Sequence, residues 1–211
     1  YIREAVKEQI NDNSCAFFTL FSLAKAKEKG NDVKIYTFNY TSLPNPYDYS
    51  QAANTYHIHG NCDCGKIIVG TQDSDEFNRD YDFLQKSFDP NFNPPALVYD
   101  LLDADEIVIF GHSIGVNDRQ YFKAFFQQQT STSNPKRKRI TIFTRDDNSE
   151  IEIKRSLQHM TDHNLSTLYG LNDLEIIKTA YLKENPQQLK NFMMRHIKDD
   201  AASHTYRSAP P

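Results

Sequence analysis

The pattern of apolar and polar positions predicts alternating strands and helices along most of the chain. Short β-branched or aromatic runs predict strands at residues 32–38, 55–58, 66–69, 106–110, 139–144 and 173–178. Apolar residues at helical spacing predict helices at residues 1–10, 15–29, 77–88, 96–102, 119–126, 150–160 and 186–198. This alternation predicts an α/β fold, in which a parallel sheet is flanked by helices.

Length and composition are those of one globular domain, which we place at residues 1–200, with residues 201–211 as a flexible tail. The 14 Phe and 12 Tyr residues can fill a core. No apolar run approaches the roughly 18 residues that a membrane span needs, and we find no secretory signal. Three cysteines favour a reducing compartment, so we expect a cytoplasmic protein. A net charge of −4 disfavours nucleic acid as a partner.

Three predicted strands end in turns that carry the chemically versatile residues. These turns are Thr37–Thr41, His57–Gly60 and Gly111–Gly115. Ligands of parallel α/β sheets bind at the carboxyl ends of the strands, where such turns meet. We therefore expect a functional site formed jointly by the three turns.

The turns, in this order, resemble those of the bacterial abortive-infection AbiH family and, more distantly, of sirtuin-like NAD-consuming domains. The matching segments are TFNYT (37–41), HIHG (57–60), IIVG (67–70) and EIVIFGHSIGVND (106–118). The resemblance implies a Rossmann-like sheet that opens with a glycine-rich strand. The chain opens instead with a helix-like segment at Tyr1, so we expect that strand to lie upstream of it.

The sirtuin-like resemblance also implies roles for individual residues. Asn39 would contact the nicotinamide ribose or position the attacking water, and His59 would be the general base. NAD would be the substrate, and we expect no metal cofactor. No paired CxxC motif of a sirtuin is present, which argues against protein deacylation. The expected NAD-binding residues are Thr37, Tyr40, His57, Gly60, Gly111, His112, Ser113 and Asp118.

Structural roles compete with these functional ones. His59 could be a hydrogen-bonded structural histidine, and Asn39 could stabilise its own turn through an Asx contact. Thr37 and Tyr40 could simply pack, and His57 could assist His59 or lie beneath it. Asp118 has the position of a helix N-cap.

Three further motifs suggest other chemistry. His57, His59, Cys62 and Cys64 are potential zinc ligands, although their spacing matches no common zinc motif. Gly111–Gly115 reads G-x-S-x-G, the nucleophile elbow of serine hydrolases with Ser113 as nucleophile, but no HGGG-like oxyanion element precedes it. The basic run Lys136–Arg139 is typical of a solvated loop, with contact to an acidic ligand or to nucleic acid as the alternative.

The resemblance implies an NAD glycohydrolase that acts in bacterial antiphage defence. Two alternatives remain open, a nucleotide-sensing module without turnover and a serine hydrolase that uses Ser113. Partners would be NAD, other defence proteins or a phage trigger, and further copies of the chain in a homo-oligomer.

Overall fold

The computed structural model describes residues 33–41, 55–71, 79–92, 96–133, 136–181 and 187–195. The predicted helices at residues 1–10 and 15–29 and the predicted tail at residues 201–211 lie outside the described residues. Within the described part, the fold is mixed α/β and contains small parallel sheets, as the alternation of elements predicts.

The strands of the described residues form three small sheets. Strand β1 (Ile35–Thr37) pairs in parallel with β2 (Thr55–His57), and β3 (Gly60–Asn61) forms an antiparallel hairpin with β4 (Lys66–Ile67). A parallel three-stranded sheet has the order β5-β6-β7, formed by Glu106–Phe110, Arg139–Thr144 and Asp173–Lys178. These last three strands confirm the sequence prediction to the residue, and each contains at least two β-branched residues, which favour strands.

Helices of the described residues pack on both faces of the three-stranded sheet. They are α1 (Leu97–Asp103), α2 (Arg119–Gln129), α3 (Asp147–Met160), α4 (Leu165–Leu171) and α5, which includes residues 187–195. Helix α3 begins three residues before its predicted start because Asp146 accepts a hydrogen bond from the Ser149 amide, 3.0 Å away. Helix α4 was not predicted. None of the described helices is long and apolar enough to cross a membrane.

The main core lies between this sheet and α2, α3 and α4. Tyr121, Phe122, Phe125 and Phe126 share one face of α2 and are buried. They pack in one cluster with Ile107 and Ile109 of β5 and Ile140 and Ile142 of β6. The same cluster includes Ile58, after β2, and Tyr36 of β1, so the two parallel sheets share a core. A smaller cluster joins Phe143 and Ile177 to Phe192 of α5.

The helix predicted at residues 77–88 is wrong for the described residues 79–88. Two 3-10 turns, Arg79–Leu84 and Lys86–Phe88, replace it, and Gln85 between them is extended and bridged to Thr71. The helical spacing of Tyr81, Leu84 and Phe88 predicts an apolar face, but these three side chains are exposed. Gln85 and Lys86 are buried instead. Buried polar residues beside exposed aromatics are the reverse of ordinary amphipathic packing.

The basic run Lys136–Arg139 is only partly a solvated loop, because Lys138 is buried and Arg139 begins β6. Lys138 is buried, and its ammonium donates to the carbonyl of Leu102, 2.7 Å away, and to that of Ala104. The more exposed Lys136 donates to the carbonyl of Asp103, 2.9 Å away. Both ammonium groups therefore satisfy carbonyls at the end of α1, where the helix dipole favours a positive charge.

We predict that Lys138→Met lowers the free energy of unfolding by about 2 kcal/mol, because it leaves the half-buried carbonyls of Leu102 and Ala104 without their charged donor. The matched control is Lys136→Met, which we expect to change stability by less than about 0.5 kcal/mol, since the lost contacts are solvated. Urea denaturation at neutral pH measures both. Equal effects of the two substitutions would contradict the assigned role of Lys138.

Candidate functional site

The carboxylate of Asp118 joins the turns that follow β2 and β5. Its Oδ1 atom lies 2.8 Å from Nε2 of His59 and 2.9 Å from Nζ of Lys86. Its Oδ2 atom lies 3.3 Å from Nε2 of His112. Phe38, directly after β1, packs its ring against the imidazoles of His112 and His59 at centroid distances of 4.2 and 5.4 Å. The ends of β1, β2 and β5 thus meet at one group of side chains. We call this group the Asp118 cluster; it consists of Phe38, His59, Lys86, His112 and Asp118.

A strained turn after β5 positions His112. Gly111 has φ +62°, which favours glycine, and Ile114 has φ +48°, which is rare for a β-branched residue. The Ile114 side chain is fully buried in the main core, and its amide donates to Nδ1 of His112 over 2.9 Å. Because Nδ1 accepts this bond, Nε2 of neutral His112 carries the hydrogen and donates a hydrogen bond to Asp118.

His59 is enclosed by the fold. The residue is 5% exposed, and its carbonyl accepts from the Ile68 amide at 2.9 Å. Gly60, which follows it, has φ +78°, and a β-carbon there would lie 2.0 Å from the Lys66 carbonyl oxygen. Only glycine therefore allows the sharp hairpin that turns the His59 imidazole towards Asp118.

Electrostatics assign the tautomer of His59. Burial raises the pKa of Asp118, but hydrogen bonds from His112, His59 and Lys86 outweigh burial and hold the pKa well below its usual range. An ionised carboxylate can only accept, so Nε2 of His59 donates to it. In the neutral ring Nδ1 then bears a lone pair. This Nδ1 atom is buried and has no hydrogen-bond partner among the described residues.

Asn39 and His57 lie beside this cluster and not within it. Asn39 is exposed, and its backbone carbonyl lies 3.3 Å from Nδ1 of His57. Nε2 of His57 lies 3.3 Å from the side-chain amide of Asn61. The two histidines of the HIHG segment thus have separate partners, and the catalytic role of Asn39 stays a prediction.

The other predicted site residues occupy the rim of the cluster. Thr37 is buried, and its hydroxyl accepts from the Asn39 amide at 3.2 Å. The Tyr40 hydroxyl donates to the Ile68 carbonyl at 3.3 Å, and the Tyr40 ring lies 6.2 Å from that of His59. Burial, followed by the charge of Asp118, raises the pKa of Tyr40. Gly111 and Ser113 are exposed on the turn after β5.

The turn that holds Ser113 is not a nucleophile elbow. In such an elbow the serine sits where a strand passes directly into a helix. Here a 3-10 turn at Val116–Asp118 intervenes, and α2 begins only at Arg119. Among the described residues, both nitrogens of the neighbouring His112 are engaged, by Ile114 and by Asp118.

The role of Asp118 and the presence of Lys86 are two features of the cluster that the sequence does not predict. Asp118 precedes α2 as predicted, but its carboxylate makes no capping hydrogen bond, because the two imidazoles and Lys86 occupy it. Lys86 was not predicted. A lysine between aromatic residues at helical spacing indicates a solvated helix face, and no local signal marks it as buried.

The possible zinc ligands do not come together in the described part of the chain, where no group of three or more histidine, cysteine or acidic residues could hold a metal ion. Cys62 and Cys64 are free and exposed, on a 3-10 turn capped by Asn61. His59 points to Asp118 and Lys86 instead.

Protonation of Asp118 in acid should remove the hydrogen bonds that its carboxylate accepts and so lower the stability of the fold. Because its pKa is lower in the folded state, the carboxylate stabilises the fold fully above its unfolded-state pKa of about 4, and this stabilisation is lost as pH falls further. We predict that the free energy of unfolding falls less steeply from about pH 5 to about pH 3 in Asp118→Asn than in the wild type. Urea titrations across this range give both slopes, and parallel slopes would refute the prediction.

Comparison with known proteins places these residues in a family. The family model described as "Bacteriophage abortive infection AbiH" matches residues 2–143, well over half of the chain and including every residue of the Asp118 cluster. No curated protein and no solved structure matches the chain. The chain therefore belongs to the bacteriophage abortive-infection family AbiH.

Proposed function

We propose that the protein hydrolyses NAD to nicotinamide and ADP-ribose during phage abortive infection, with His59 as the general base. The observation that carries this proposal is the buried Nδ1 atom of His59, which has no hydrogen-bond partner among the described residues while Asp118 holds the opposite nitrogen. A structural histidine normally has both nitrogens satisfied when it is buried. A base needs one nitrogen free to accept a proton.

The chemistry of glycoside cleavage fits this arrangement. The bond between nicotinamide and the ribose breaks with its electron pair going to the leaving nitrogen, so nicotinamide departs neutral and the sugar becomes cationic. Water attacks the sugar carbon, and its proton passes to Nδ1 of His59, which is buried in the structure and must become accessible when NAD binds. Asp118 then stabilises the imidazolium through Nε2, as a carboxylate beside a catalytic imidazole does in hydrolytic triads.

The choice of NAD rests on the resemblance of the three turns to sirtuin-like domains. The position of the cluster agrees with this choice, because dinucleotides bind at the carboxyl ends of parallel strands. The exposed Asn39 lies on the same rim, next to His57, where its amide could orient a ribose hydroxyl or the attacking water.

We predict that full-length protein releases nicotinamide from NAD and that His59→Gln lowers the rate by about 100-fold or more, the usual effect of losing a general base. Asn39→Ala should also lower the rate strongly, because the attacking water loses its orientation. Nicotinamide release can be followed by liquid chromatography, with circular dichroism to verify folding.

The matched control is His163→Asn, an exposed histidine in a left-handed turn that asparagine tolerates well. It should retain wild-type turnover. Full activity of His59→Gln would refute the assignment of the base. Binding of NAD without turnover by the wild type would instead favour a nucleotide-sensing module.

We also propose that the two parallel sheets belong to one Rossmann-like layer, with a further strand between β1 and β5. Both sheets contribute to the same core, and their carboxyl ends meet at Asp118. An experimental structure of the full-length protein should show a strand hydrogen-bonded to both β1 and β5. Direct pairing of β1 with β5, or face-to-face packing of the two sheets, would contradict this arrangement.

A further inference from the structure

Lys86 is the buried cation of the Asp118 cluster. The residue is 4% exposed, and its ammonium lies 2.9 Å from Oδ1 of Asp118, 3.2 Å from the Asn117 carbonyl oxygen and 3.3 Å from Nε2 of His59. Burying an ammonium costs several kcal/mol unless close partners compensate for the lost water. Asp118 and the Asn117 carbonyl supply that compensation, and they hold the ammonium beside the imidazole of His59.

The charges around His59 show what this lysine does. The polar or aromatic groups that face the imidazole come from four parts of the chain. They are Phe38 and Tyr40 after β1, Lys86 on the 3-10 turn Lys86–Phe88, Asp118 before α2 and Tyr121 on α2. Asp118 alone would favour a charged imidazolium, because an opposite charge at this distance stabilises the protonated ring. The Lys86 ammonium offsets that charge and repels a second positive charge beside it.

We propose that Lys86 is a positioning residue that keeps His59 neutral, with its proton on Nε2 and a free lone pair on Nδ1. This inference rests on the proposed function of His59, because only a neutral imidazole can take the proton of the attacking water. Lys86 also anchors the carboxylate through the Asn117 carbonyl, so the acceptor of His59 is held in place.

Histidine NMR tests this role without any assay of turnover. In the wild type near pH 7, nitrogen-15 spectra should show His59 as the neutral tautomer protonated on Nε2, with the signals assigned through His59→Gln. If the wild-type spectrum showed His59 as an imidazolium, or as a ring protonated only on Nδ1, that result alone would overturn the proposal.

Lys86→Met removes the charge and retains an unbranched apolar side chain of similar length. We expect His59 in this variant to take up its proton at a pH higher by about one unit or more, the usual effect of a close charge. Lys86→Arg should restore much of the wild-type titration. The control Lys66→Met removes an exposed lysine of β4 and should leave the titration of His59 within about 0.2 units, since solvent screens its charge.

Turnover provides a second, separable measurement. If NAD is hydrolysed, the acid limb of the pH–rate profile should move upward in Lys86→Met by the same amount as the NMR titration, with activity largely retained at alkaline pH. Failure of the wild type to hydrolyse NAD would overturn the proposed function, whereas the NMR titration would still decide the role of Lys86. An unchanged titration in a folded Lys86→Met protein would overturn the role of the lysine.

Discussion

The carboxylate of Asp118 is the interaction on which the site depends. It accepts from two imidazoles and one ammonium that come from three separate parts of the chain. Even a half-buried carboxylate is costly unless its lone pairs are used, and here each oxygen of Asp118 has a charged or polar donor. Removal of any one donor would alter the others, because all of them share the same two oxygen atoms.

Strain in the turn after β5 supports this arrangement. Ile114 adopts a left-handed conformation that a β-branched residue rarely takes, and burial of its side chain in the core holds it there. Its amide thereby reaches Nδ1 of His112 and determines which nitrogen of that ring faces Asp118. Strained backbone of this kind concentrates at functional sites, where packing elsewhere in the fold compensates for its cost.

The segment around Lys86 contributes to the site because it buries polar side chains and exposes aromatic ones. Its aromatic side chains Phe83 and Phe88 are exposed, while Gln85 and Lys86 are buried. The extended conformation of Gln85, bridged to Thr71, breaks the helix that the aromatic spacing predicts and turns Lys86 inward. The irregular backbone of this segment therefore brings the Lys86 ammonium to Asp118.

By itself the sequence determined the strands β5, β6 and β7, most of the helices, the family resemblance and the three turns that surround the site. These are local properties, because runs of β-branched residues, helical spacing and glycine-containing turns act over a few neighbouring residues. Tertiary structure alone decided that Asp118 binds imidazoles instead of capping α2, that Lys86 is buried and that Asn39 lies outside the cluster. Asp118 lies 59 positions from His59 and 32 positions from Lys86 in the chain. No local pattern specifies which of the distant donors reaches a given carboxylate.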